Sequence, residues 1–67
     1  MQGVQLKDLK AGAWFTRKPI EEPKDSQVYV KNHYAREVKK YCCSHYNDVN
    51  NEVFLKGSTI VYTDFYF

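Results

Sequence analysis

Between Tyr29 and Tyr41 the chain places Lys31, Arg36, Lys39 and Lys40 among aromatic residues, and Glu37 is the one acid in residues 31–40. Ammonium and guanidinium groups neutralise phosphates, and exposed rings stack on bases for about 1–3 kcal/mol each. Tyr29 and Lys31 alternate onto one strand face, Lys39 and Tyr41 onto another. If the two strands pair as a hairpin around residues 32–36, these four side chains form one basic and aromatic surface with Arg36 and Lys40 beside it. Nucleic acid is the partner such a surface fits. A competing reading assigns the same residues to the fold. Tyr29 and Tyr41 then cover the edge of the core, and the lysines keep a strand edge from aggregating.

Other chemistry is poorly supplied. Cys43 and His45 alternate onto one face of an extended segment and Cys42 onto the other. A structural zinc site needs four ligands, commonly as two spaced pairs. Only His33, Cys42, Cys43 and His45 are available, and at least one of them points the wrong way, so neither a metal nor a cofactor is expected. Cys43 beside His45 is a nucleophile beside a base with no evident orienting acid. Asp48 reads as a turn cap and Asp64 as an exposed face position, and nothing in the sequence brings them together. Three scattered glycines make no phosphate loop. So short a chain leaves little pocket volume, and the expectation is no enzyme. A third class is a protein-interaction module, in which Trp14, Tyr62, Tyr66 and the apolar C-terminus supply an aromatic groove or an open strand edge. Homodimerisation through the C-terminal strand is its simplest form. A buried Trp14 with a paired indole N–H is the competing arrangement. The sequence thus predicts a non-enzymatic binding module whose partner is nucleic acid, with a protein or a second copy as the alternative.

The elements that must position these residues are short strands. The chain has 67 residues, enough for one domain spanning 1–67, and a domain of this size buries about 60% of the surface its unfolded chain exposes. Six Tyr, four Phe and one Trp, with scattered Val and Ile, favour strands over helices. Residues 4–6 begin an extended piece and 8–12 a turn in which Gly12 supplies a positive φ. Residues 13–18 form a strand with Phe15 on one face and Trp14 and Thr16 on the other. A polar loop follows over 19–26, then a strand over 27–31, a turn at 32–35 and the longest strand over 37–46. That last strand has no cleanly apolar face, so its orientation is left open. Residues 47–51 are a loop or one helical turn, and 52–55 a short strand, although 48–55 as two helical turns is an alternative. A tight turn at 56–58 leads to a final strand over 59–67 with Val61, Thr63, Phe65 and Phe67 on the core side. The expected fold is all-β, a small, strongly bent sheet or SH3-like barrel of five to six short strands. The expected core is Leu6, Leu9, Phe15, Val28, Val30, Leu55, Val61 and Phe65.

Ten basic and eight acidic residues leave a net charge of +2, too close to neutral to argue for nucleic acid or a membrane by itself. No stretch approaches the roughly 20 apolar residues of a membrane span, and no membrane partner is expected. Cys42 and Cys43 are adjacent and have no other cysteine to pair with, and a disulfide between neighbours would strain its short ring. The thiols and the absence of an apolar leader in residues 1–10 predict a reduced, cytoplasmic setting.

The pattern D-L-x-x-G-x-W-F (8–15) is followed by V-Y-V (28–30) with Tyr34 and Arg36, K-K-Y (39–41), and F-L-K-G through V-Y-x-D-F (54–65). This series resembles small β proteins of gut anaerobes and of phages or mobile elements, and it covers nearly the whole chain. The resemblance implies a β fold and brings no activity, cofactor or site residue with it.

Overall fold

The strands are short because polar residues and turn formers interrupt the apolar alternation every few positions. The computed structural model describes residues 2–66, and of Val49 the backbone only. Six strands lie in chain order: β1 (Val4–Gln5), β2 (Trp14–Phe15), β3 (Tyr29–Ala35), β4 (Lys40–His45), β5 (Asp48–Leu55) and β6 (Ile60–Val61). Single turns of 3-10 helix at Leu6–Asp8 and Asp25–Gln27 are the only helical pieces among the described residues. The fold is all-β, as the alternation predicts.

Strands β2, β3, β4 and β5 pair in sequence order as a four-stranded antiparallel sheet, and β1 pairs with β6 as a two-stranded ribbon. The two are joined at one place. Thr16, immediately after β2, pairs with Tyr62, immediately after β6, through two backbone hydrogen bonds of 2.9 Å. The chain therefore leaves the four-stranded sheet at Phe15 and enters the ribbon at Thr16. The ribbon is lengthened by Leu6 N–H donating to the Thr59 carbonyl (2.9 Å) and Lys7 N–H to that of Gly57 (3.0 Å). β5 has β4 as its one hydrogen-bonded neighbour, and the tight turn at 56–59 sends the chain away from it into β6. The sheets accordingly bend over a shared core without closing into an SH3-like barrel.

Leu6, Phe15, Cys43 and Val61 make the centre of that core, with Val4, Leu9, Tyr29, Tyr41, Val53 and Leu55 packed around them. Val28 is also fully buried, whereas Leu9, Val30, Leu55 and Phe65 are half-buried. Cys42 and Cys43 are both buried, so both faces of β4 are covered, which is why neither looks cleanly apolar in sequence. On the C-terminal segment Val61 is buried, Phe65 half-buried and Thr63 exposed, and Phe67 lies outside the described residues. The final strand stops at Val61 because beyond the Tyr62 bridge its backbone has left the ribbon.

The β3–β4 hairpin differs most from the sequence reading. The expected turn at 32–35 lies inside β3, and the chain reverses at 36–39, where Lys39 N–H donates to the Arg36 carbonyl (3.3 Å). The expected strand over 37–46 is correspondingly shortened to Lys40–His45. Asn32 and His33 carry a β-bulge: Lys31 lies opposite Cys43, but Tyr34 lies opposite Tyr41, so β3 holds one residue more than β4. An extra residue reverses which side chains face the core beyond it. A second irregularity sits on β5, where the partners jump from Ser44↔Glu52 to His45↔Asp48 and the Asn50 N–H donates to Asp48 Oδ1 (3.2 Å). Residues 48–55 are thus a strand, not two helical turns, and the bulged segment blunts an edge that would otherwise invite another strand.

Gly12 has φ 88° and open space where a Cβ would stand. Gly12→Ala should therefore lower stability through backbone strain alone, by about 1–2 kcal/mol in urea denaturation. Phe15→Ala should remove about 3–5 kcal/mol, enough to unfold most of the population of so small a domain. An unchanged unfolding midpoint in either variant would contradict the placement of that residue.

Candidate binding surfaces

Tyr29, Lys31 and Tyr41 face inward. Tyr29 stacks on Phe15 at 5.5 Å between ring centroids and meets His45 at 4.5 Å. Lys31 is only 5% exposed. Its Nζ donates to the Leu9 carbonyl and stands 4.4 Å from the centroid of the Tyr41 ring. Desolvating an ammonium is costly unless its charge is met, and here a carbonyl dipole and a ring face meet it. Lys31 thereby ties the segment before Gly12 to the hairpin, helped by Gly12 N–H donating to the Lys31 carbonyl (2.7 Å) and Lys31 N–H to that of Ala13 (2.9 Å). The single basic and aromatic face expected from these strands is not assembled, because Tyr29, Lys31 and Tyr41 are turned into the core.

The remaining three residues come together in a different place. Arg36 and Lys39 are exposed on the 36–39 turn, and Lys40, half-buried, begins β4 opposite Ala35. The bulge brings Tyr34 to the same side as Tyr41, where the rings meet edge to face at 4.9 Å and Tyr34 stays 46% exposed. Tyr41 lies opposite Leu55, which places Lys56 next to Lys40 across the β4–β5 pair. A Cβ on Gly57 would stand 3.1 Å from both the Lys7 side chain and the Tyr41 ring, so the 3-10 turn with Lys7 closes against this same end. Arg36, Lys39, Lys40, Lys56 and Lys7 thus belong to segments at the same end of the sheet, with Lys40 and Lys56 on the face opposite Tyr34 and Tyr41. Sequence reasoning missed Lys7, Lys56 and Tyr34, because the bulge and the β4–β5 register that bring them there leave no local pattern.

Lys39 adds a backbone observation. It has φ 55°, the one positive φ at a non-glycine residue among those described. Left-handed backbone costs an L-residue about 1–2 kcal/mol that glycine avoids. The turn keeps a cation at the position where glycine would be easiest.

The outer face of the four-stranded sheet is mixed. Trp14 and Tyr46 meet edge to face at 5.1 Å, and Trp14 (44%) and Phe54 (48%) remain exposed. Tyr62 is half-buried within the bridge and Tyr66 exposed beyond it. Between the aromatics, Cys42 Sγ donates to Glu52 Oε2 (2.7 Å), and Asn32 Nδ2 donates to Ser44 Oγ (3.2 Å). Burial first, then the hydrogen bond to Glu52 and its charge, push the Cys42 thiol upward, and the Asn32 side chain opposes them. On the core side burial, followed by the charge of Cys42, pushes Cys43 up to about 11. Both thiols are free and held protonated, which disfavours nucleophilic or ligand chemistry. Cys43 and His45 face inward, Cys42 outward, and His33 projects from the bulge, and among the described residues no three His, Cys, Asp or Glu side chains converge on a point. Asp48 sits at the start of β5, and Asp64 is exposed beyond the ribbon. Among the described residues no helix is long and apolar enough to cross a membrane.

No family model matches the chain, and no curated protein or solved structure is significantly similar to it.

Cys43 is protonated in the folded protein at pH values where the unfolded chain has begun to ionise at about 8.5. Its contribution to stability is therefore complete below pH ~8.5 and lost as the pH rises towards 11. The melting temperature should fall over that interval, and that of Cys43→Ala should fall less steeply. Alkylation by iodoacetamide at pH 8 should be slow in the native protein and fast in urea. Glu52→Gln should accelerate it at Cys42 by removing the negative charge, while a neutral amide oxygen remains as the acceptor.

Proposed function

We propose that the protein is a non-enzymatic binding module that holds nucleic acid by its phosphates at the basic end of the four-stranded sheet. On this reading Arg36 and Lys39 contact the backbone from the turn, Lys40 and Lys56 from the adjoining strand ends, and Lys7 from the closing 3-10 turn. Tyr34 offers one exposed ring to a base. The observation that carries the reading is Lys39: a strained left-handed backbone is retained at the tip of a turn to present a cation, and such strain concentrates at functional positions. Among the described residues no carboxylate engages the side chains of Arg36, Lys39 or Lys40, so their charge is available to a ligand. With free thiols the protein is suited to the reducing cytoplasm.

A second reading rests on the outer face. Trp14, Tyr46 and Phe54 are exposed, and aromatic residues are enriched at contacts with a protein or a second copy. Sedimentation at micromolar concentration separates the two: a stable dimer weakened by Trp14→Ala favours the outer face.

Binding to a fluorescent single strand should weaken with salt along a log–log slope of about −0.7 per phosphate contact, or about −2 to −3.5 for three to five contacts. Arg36→Ala and Lys40→Ala should each flatten that slope by about 0.7. Lys31→Met should leave it unchanged because its ammonium is internal. Tyr34→Ala should cost about 1–3 kcal/mol of affinity with little change in slope. Lys39→Gly should bind more weakly yet unfold at higher denaturant, since the substitution relieves strain and removes a charge. Absence of binding at low salt to single- and double-stranded DNA and RNA would remove the proposal.

A further inference from the structure

We infer that a cleft at the opposite end of β3 is a second, separate site that takes a small molecule carrying a phosphate group. The cleft is open, has a volume of about 430 Å³, and is lined by Arg17, Lys18, Ile20, Ser26, Gln27 and Tyr29. Its volume falls in the range of small-molecule sites, about 300–1,000 Å³. Six residues of β3 separate Tyr29 from the basic turn, about 20 Å at the usual strand rise, so one small ligand cannot serve both places.

The walls are set by backbone geometry. Thr16 is held on two sides by Tyr62, and its Oγ1 donates to the Lys18 carbonyl (2.7 Å), which also accepts from Ile20 N–H (2.9 Å). Those bonds fold residues 16–20 sharply and set Arg17, Lys18 and Ile20 along one wall. The other wall is the 3-10 turn at Asp25–Gln27. There the Gln27 side-chain Oε1 accepts from Lys24 N–H (2.9 Å), while Gln27 N–H donates to the Lys24 carbonyl (2.8 Å). With its oxygen used in this way, Gln27 keeps its side-chain NH₂ as a donor. Tyr29 forms the floor. Phe15 and His45 contact its ring, so its hydroxyl, not a stacking face, is what it offers a ligand.

The lining residues Arg17, Lys18, Ser26, Gln27 and Tyr29 all carry donor side chains, and no carboxylate residue is among them. Glu21, Glu22 and Asp25 belong to the same loop but do not line the cleft, and among the described residues no carboxylate engages Arg17 or Lys18. Two cations match a dianion, and this many donors exceed what the two oxygens of a carboxylate accept, whereas a phosphate monoester has three terminal oxygens. Arginine beside lysine pairs a bidentate fork with a point charge, an arrangement suited to phosphate. Ile20 supplies an apolar wall for the organic part of the ligand.

The test is titration of the ¹⁵N-labelled chain with adenosine monophosphate, inorganic phosphate and acetate at constant ionic strength. Saturable shifts at residues 17, 18, 20, 26, 27 and 29, with both phosphates binding more tightly than acetate, are the expected result. Arg17→Gln with Lys18→Gln should weaken adenosine monophosphate at least tenfold while leaving the salt slope for a single strand unchanged. Lys39→Gly should do the reverse. Shifts no larger than those from sodium chloride, acetate binding as tightly as phosphate, or an undiminished affinity in the Arg17/Lys18 variant would each overturn the assignment. Failure here would leave binding at the basic end to stand or fall on its own measurements.

Discussion

Everything in this fold hangs on the step from Phe15 to Thr16, where one strand leaves one sheet and joins the other. Phe15 pairs with Tyr29 in the four-stranded sheet and Thr16 with Tyr62 beyond the ribbon, and neither side chain has any exposure. A chain of 67 residues has little surface to bury. It meets that constraint by bringing both sheets onto one phenylalanine, with Leu6 and Val61 from the ribbon and Cys43 from the sheet around it. The same step lies beside the cleft lined by Arg17 and Lys18, since the Thr16 hydroxyl bonds to the Lys18 carbonyl. One interaction therefore joins the sheets and centres the core.

Lys31 shows how strongly a register decides chemistry. In a strand with uninterrupted alternation, Tyr29 and Lys31 share a face with every second residue beyond. Tyr29 and Lys31 face inward in regular register with His45 and Cys43, and the bulge at Asn32 and His33 beyond them brings Tyr34 to the side of Tyr41, where their rings meet while Tyr34 stays partly exposed. An ammonium that would otherwise meet solvent phosphates instead secures the loop at Leu9 and the face of Tyr41. The cost of its desolvation is offset within the core by the Leu9 carbonyl and the Tyr41 ring.

Charge on this molecule is consequently distributed by ends and not by faces. The end built from the 36–39 turn, Lys56 and Lys7 is rich in basic residues. Glu21, Glu22, Asp25, Asp48 and Asp64 lie on the loops and strand ends away from it, where Arg17 and Lys18 stand together along one cleft wall. A small net charge conceals this separation, and local fields act on ligands more strongly than the sum does. The outer face, with Trp14, Tyr46 and Phe54 around a protonated thiol, carries apolar area and little charge.

By itself the sequence determined the class of fold and most of the segments that build it. The aromatic and β-branched alternation implied strands, Gly12 and the 56–58 stretch implied turns, and Leu6, Phe15, Val28 and Val61 were legible as core because they are apolar residues in short alternating segments. Adjacent cysteines with no partner implied thiols. Tertiary structure decided the rest. Whether Lys31 faces water or the core depends on which face of the hairpin the ribbon covers, and the side taken by Tyr34 depends on a bulge, and neither leaves a periodic signature. Covering both faces of β4 buries Cys42 and Ser44 at positions whose polarity suggests solvent. Lys7 and Lys56 lie far from Arg36 in sequence and meet it only through the β1–β6 ribbon and the β4–β5 register. Local patterning sets what each segment is, whereas the long-range pairing that sets which segments are neighbours is a property of the folded whole.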